Sequence, residues 1–162
     1  MTEVRILVGP PRMKIEYKIN DFLDLDNVLE FSKKIFKPTP QEVEESHKKE
    51  DWLKRLENKG ILITAYVGNN LAGFALGYEK ERGSLHIWQV GVMEEYRGRG
   101  IWRDLYREIE EYARNNDFQK ITLNTYKDKF PVMYKFAQTR GFVCYKTELK
   151  NGLEKSFFEK KL

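Results

Sequence analysis

Residues Tyr96-Arg97-Gly98-Arg99-Gly100-Ile101-Trp102 set two glycines and two arginines between an apolar run and a segment with helical spacing. A bend stripped of side chains in this way exposes main-chain N–H groups at the positive end of a helix dipole, which suits an anion and most often a phosphate. The spacing excludes two common phosphate sites. No Gly-Lys-Ser/Thr closes the loop, as a mononucleotide P-loop requires, and only two glycines stand where a dinucleotide fingerprint needs three. Side chains able to carry other chemistry are sparse. Cys144 is the sole cysteine, without an adjacent histidine, and reads as a small buried thiol rather than a nucleophile. With His47 and His86 far apart in the chain, no metal-ligand spacing exists.

These residues must be held by a folded domain, and the composition supplies one. The chain has 162 residues, 41% hydrophobic and 33% charged, which is enough for one full core and too apolar for disorder. Its 29 basic residues interleave with 25 acidic ones, for a net charge of +4 and no basic block, so nucleic acid is not expected as a partner. A lone cysteine, no apolar stretch long enough to span a bilayer and no leader pattern imply a cytoplasmic protein with no membrane contact.

Periodicity divides the chain into elements without repeats or linkers. Val4 to Val8 and Met13 to Tyr17 read as strands around Gly9-Pro10-Pro11, and residues 24 to 36 carry a helical stripe. Thr39-Pro40-Gln41-Glu42 combines an N-cap, a first-turn proline and a capping-box glutamate, predicting one helix from Pro40 to Lys59 before Gly60. Ile61 to Val67 and Leu71 to Tyr78 form a hairpin about Gly68-Asn69-Asn70, followed by a central strand from Leu85 to Met93. After the glycines, Ile101, Leu105, Ile109 and Ala113 define a helix. Lys120 to Tyr126 is then a strand, Phe130 to Arg140 a helix, and Phe142 to Leu149 with Lys155 to Glu159 a closing pair. The sum is mixed α/β around one sheet.

The segment Val92 to Ile101 resembles the acyl-CoA signature, Gln/Arg-x-x-Gly-x-Gly/Ala, of the GNAT superfamily of N-acetyltransferases. The paired strands with Ala65-Tyr66-Val67 and Gly73-Phe74, and Arg140-Gly141-Phe142 after a helix, are similar to the same family, so the resemblance is clearest over residues 61–145. It implies a single domain over 1–162, with N-terminal strands in 1–20. The sheet would be mostly antiparallel, splayed between its fourth and fifth strands and flanked by about four helices. It further implies acetyl-CoA as acyl donor. Main-chain groups of Arg97, Gly98, Arg99, Gly100, Ile101 and Trp102 would cradle the pyrophosphate, with Arg97, Arg99 and Arg103 near the outer phosphates. Trp102 stands where the signature has Gly or Ala. The strand before the loop, Ile87 to Met93, would pair with the pantetheine arm, with Gln89, Val90, Gly91 and Val92 nearest the reacting carbon and Val90 and Val92 binding cofactor, and Asn124 would anchor cofactor or substrate. A main-chain N–H aimed at the thioester carbonyl is a preorganised donor, typically worth about 3 kcal/mol.

An amine of pKa ~10.4 is largely protonated at neutral pH, so a base or a desolvating pocket must help. His86 on the preceding strand is the first candidate, ahead of Glu79 and Glu81 in the adjoining turn. The family often protonates the departing thiolate with a tyrosine four residues before Gly-Phe. Ala137 occupies that position, which leaves Tyr134 one turn earlier, then Tyr126. By the same resemblance the acceptor groove adjoins Phe36, Trp52, Tyr17 and the acidic run Glu42, Glu44, Glu45. The reading is therefore an N-acetyltransferase acting on a primary amine by direct attack, the acceptor being a small molecule or a protein amine. A non-catalytic acyl-CoA sensor of the same fold is the alternative, and a homodimer is left open.

Overall fold

The computed structural model describes residues 2–8 and 14–162, and of residues 5–8 only the main chain. The expected Gly9-Pro10-Pro11 turn and Met13 lie outside the described residues. Eight strands, β1 (Glu3–Val8), β2 (Lys14–Ile19), β3 (Ile61–Val67), β4 (Asn70–Glu81), β5 (Ser84–Val92), β6 (Lys120–Tyr126), β7 (Val143–Lys150) and β8 (Leu153–Lys161), make one sheet. Their order is β1-β2-β3-β4-β5-β6-β8-β7. The helices are α1 (Leu25–Phe36), α2 (Pro40–Ser46), α3 (Lys49–Glu57), α4 (Ile101–Asn115) and α5 (Pro131–Thr139).

Apolar spacing decides which face each helix covers. On α4, Ile101, Leu105, Ile109 and Ala113 are all buried and pack with Ile15, Ile63, Ala75, Leu85 and Ile121 on one face of the sheet. On the opposite face Val28, Leu29 and Phe31 of α1, with Trp52 and Leu56 of α3, pack on Leu62, Phe74 and Leu76. That second cluster includes Trp88 of β5 and no residue of β6, β7 or β8, so its helices stop covering the sheet at β5.

One expected helix is two. The span from Pro40 to Lys59 breaks at His47 and Lys48, the latter with extended backbone (ψ 156). The Thr39 capping box forms as expected, Glu42 N–H donating to Thr39 Oγ1 and Thr39 N–H to Glu42 Oε2. A second start was overlooked: Asp51 Oδ2 accepts from Lys48 N–H at 3.0 Å, and His47 Nδ1 lies 2.9 Å from the Glu42 carbonyl oxygen. Counting α2 and α3 as halves of one broken helix leaves the four expected.

All neighbouring strands are antiparallel except β5 and β6. The parallel pairing is short, running only from Ser84 to Ile87 against Lys120 to Leu123. Past those rungs the two strands diverge, and they are the fourth and fifth strands once edge strand β1 is set aside. A bulge marks the point of divergence: Ile87 faces Gly77 while Gln89 faces Leu76, leaving Trp88 as the extra residue. Bulges bend and twist a strand, which turns the end of β5 away from β6.

Candidate active site

The divergence leaves the outer edge of β5 without rungs from Trp88 to Val92. This edge leads, through the 3-10 turn Glu94–Tyr96, to the glycine bend. Gly98 and Gly100 have φ of 77° and 81°, a left-handed conformation that other residues reach at a cost. A Cβ on Gly98 would meet nothing within 4 Å, whereas one on Gly100 would stand 2.7 Å from Arg103 Nη2. Among the described residues no side chain caps α4. Its first helical bond runs from Asp104 N–H to the Gly100 carbonyl at 3.0 Å, so the amides of Ile101, Trp102 and Arg103 precede any intrahelical acceptor. The bend therefore offers an anion several donors, with no Cβ at Gly98 or Gly100.

Ile101 is in the core, and the Trp102 indole turns toward α5, 4.5 Å from the Phe136 ring centroid and 6.1 Å from that of Tyr106. Trp102 thus presents its main chain, and its ring fills the α4–α5 contact. Arg97 Nε donates to the Val92 carbonyl at 3.2 Å, and the Arg99 guanidinium stacks 5.7 Å from the Tyr96 centroid. Val90 and Val92 turn toward the α4 side of the sheet.

Opposite, the bulge is clamped by aromatic and cationic groups. The Trp88 ring lies 3.9 Å from the Arg55 guanidinium, 5.2 Å from Trp52 and 5.7 Å from His47. The break between α2 and α3 is what brings His47 there. Gln89 is fixed from α1, where Ser32 Oγ donates to its Oε1 at 2.7 Å with both residues buried. Ser32 went unnoticed in the sequence, and a serine inside an apolar helical stripe was the available signal.

The proposed proton carriers fall at different depths. His86 is in the paired part of β5, 6% exposed, with Nδ1 2.8 Å from Thr122 Oγ1. Burial, then Lys80, Lys155 and Arg55, hold its pKa down at about 3, so it is neutral. Tyr126 ends β6 at the open side, beneath the Lys155 ammonium at 6.0 Å, and Asn124 precedes it on the same face. Tyr134 on α5 packs edge-on to Phe158 at 5.3 Å, on the α4 side. Ala137, at the family's tyrosine position, is fully buried. Glu79 accepts from Gly83 N–H and pairs with Lys59, bracing its turn.

Several expectations about the acceptor side are corrected. Tyr17 is 1% exposed and donates to Asp104 Oδ2 at 2.8 Å on the α4 face, well removed from α1 and α3. Trp52 is core. Glu42 closes the capping box, Glu44 binds Lys48 and Glu45 binds Gln41, so helix-local roles occupy all three carboxylates. Phe36 meets Phe130 edge-on at 6.2 Å, linking the end of α1 to the start of α5. Cys144 is exposed on β7, because no helix covers that strand. Two open depressions, of about 470 and 490 Å³, flank α1, and neither is lined by Gly98, Gly100 or residues 88–92. Among the described residues no His, Cys, Asp and Glu cluster could hold a metal, and no helix is long and apolar enough to cross a membrane.

Residues 25–142 match the Acetyltransferase (GNAT) family, and the chain belongs to it. It is an acetyltransferase of that family. Solved structures agree on the fold. The yncA protein of Salmonella typhimurium, solved with its cofactor acetyl-CoA, superposes with a TM-score of 0.73 at 14% identity, over 91% of this chain and 93% of that one. A ribosomal-protein-alanine N-acetyltransferase from Brucella melitensis gives 0.71 at 22% identity, over 90% and 99%. PaiA N-acetyltransferase from Thermoplasma acidophilum, in complex with coenzyme A, gives 0.69 at 19% identity, over 100% and 99%. No curated protein matches the sequence.

Proposed function

We propose that this protein transfers an acetyl group from acetyl-CoA to a primary amine by direct attack of the amine. One observation carries the reading: the unpaired edge of β5 from Trp88 to Val92 runs into a bend of two positive-φ glycines at an uncapped helix start. Acetyl-CoA brings the activated acetyl group and a diphosphate. The diphosphate suits the main-chain donors at 98–103, where Gly98 and Gly100 leave room for close approach, with Arg97, Arg99 and Arg103 for the outer phosphates. Main-chain groups at Val90 and Val92 hold the pantetheine arm, and Asn124, one residue past the last rung between β5 and β6, anchors cofactor or substrate at the opening.

Tyr134 is on the α4 side with the bend, and donates the proton that the departing sulfur takes up. Tyr126, at the open end of β6, is the second donor. His86 braces β5 to β6: its ring is buried, engaged with Thr122 and neutral, so it steadies the strand from which the reaction edge continues.

Calorimetry with acetyl-CoA on Gly98→Asp and Gly98→Asn tests the cradle. Both side chains tolerate this backbone and enter open space, but only aspartate adds charge. The aspartate variant should bind at least about tenfold more weakly than the asparagine variant, and equal affinities would refute the cradle. Thiol release in the presence of amines tests transfer, and Tyr134→Phe should lower kcat with cofactor affinity unchanged. Cofactor affinity without amine-dependent thiol release would instead fit the non-catalytic module.

A further inference from the structure

The sheet face that α1 and α3 leave uncovered, across β6, β8 and β7, is basic. Lys155 of β8 is half-buried there, its ammonium 5.2 Å from the Phe157 centroid and 6.0 Å from that of Tyr126. Among the described residues it has no carboxylate partner. Lys146 stacks on the same Phe157 ring at 4.9 Å and takes the one nearby carboxylate, Glu148, at 3.2 Å. The next acid on this face, Glu159, is bound to Lys120. Burial first, and then the charges of Lys150, Lys80 and Lys146, lower the pKa of Lys155, with Glu148 opposing. A cation held against two rings, whose cross-strand neighbour Glu148 is in contact with Lys146 instead, is a ready docking point for an anion.

Its place in the fold ties it to the acceptor. Lys155 pairs in register with Tyr126, where β6 has left β5. The glycine bend belongs to the α4 side, so the amine reaches the opening from this basic side. We infer that the acceptor is a small amine bearing an anionic group, a carboxylate or a phosphate, which docks on Lys155 beside the open end of β6. This rests on the acetyltransferase reading above. The field has a second effect: neighbouring ammonium groups disfavour a protonated amine, so they help it reach the neutral form that His86 is not placed to provide. A simple polyamine would meet repulsion with nothing to offset it.

Matched pairs test the inference: phosphoethanolamine against ethanolamine, and tyrosine against tyramine, followed by thiol release from acetyl-CoA. The anionic member of one pair should show at least about tenfold higher kcat/KM, and which pair responds separates phosphate from carboxylate. Lys155→Met should abolish that ratio and Lys155→Arg should keep it, while acetyl-CoA affinity stays unchanged in both. Preference for the members that lack the anionic group, or a ratio indifferent to Lys155→Met, overturns the inference and leaves the acetyltransferase reading intact. Absence of acetyl-CoA binding would sink the reading itself. Should no amine turn over, calorimetry of the same pairs on the coenzyme A complex decides, and failure of both anionic members to bind overturns the inference.

Discussion

Below pH 6.5 an unfolded chain takes a proton at His86 that the folded chain refuses until about pH 3. The cause is burial first, then the charges of Lys80, Lys155 and Arg55. Since the folded value lies below the unfolded one, the stabilisation is fully present above about pH 6.5 and is lost as pH falls toward 3. The loss approaches about 1.4 kcal/mol per pH unit within that window. Replacing His86 by Asn should remove this contribution, so that urea denaturation from pH 7 to pH 5 costs the variant about 2 kcal/mol less than the wild type. Parallel pH profiles for the two proteins would contradict the buried neutral assignment. Gly91 acts through size instead. A Cβ there would stand 2.9 Å from Ile35 Cδ1 and 3.1 Å from Phe74 Cε1, so Gly91→Ala should turn the Ile35 methyl aside, press on the buried Phe74 ring and cost about 1 kcal/mol in the same assay.

Among elements, the tie between β2 and α4 bears most directly on the bend. The Tyr17 phenol is pushed above its usual range by burial and by Asp104, so it remains a donor to that carboxylate. Asp104 is 6% exposed and also receives Arg107 Nη2 at 3.2 Å and Arg103 Nε at 3.5 Å. The strand therefore anchors the first turn of α4 and, through Asp104, the arginine nearest Gly100. Tyr17→Phe strands a buried carboxylate oxygen and should cost about 1–3 kcal/mol. In calorimetry it should weaken coenzyme A while leaving acetyl-pantetheine, which lacks the diphosphate, unaffected. Equal losses for both ligands would reduce the tie to general stability. The broken helix works in the same way on the other face, since the turn at His47 and Lys48 brings the imidazole onto Trp88 at the bulge.

At the scale of the molecule, a net charge of +4 is modest, but its distribution is uneven. The uncovered face of β6, β8 and β7 gathers Lys146 and Lys155, and Lys80 and Lys150 act on it, so encounter with the anionic acceptor inferred above would be steered by this field and screened by salt. Raising ionic strength from about 0.05 M to about 0.5 M should lower kcat/KM for phosphoethanolamine several-fold, while cationic ethanolamine should show no such fall. Much of the fold was legible beforehand because its signals are local. The Thr39 capping box, the α4 stripe and the glycine bend each depend on neighbours within a turn or two, and they stand where the pattern put them. The split of α2 from α3 escaped notice because a continuous charged stretch conceals a second helix start at Lys48. The bulge at Trp88, the burial of Tyr17 and the exposure of Cys144 had no local signature, and Ser32 in its apolar stripe gave no sign of its partner Gln89. Each depends on which strands become neighbours and which faces the helices reach. Local pattern alone fixed the two-glycine bend ahead of α4 and pointed to the family. Which charges face the opening depends on the tertiary structure, because Lys80 of β4, Tyr126 of β6, Lys146 of β7 and Lys155 of β8 come together from elements far apart along the chain.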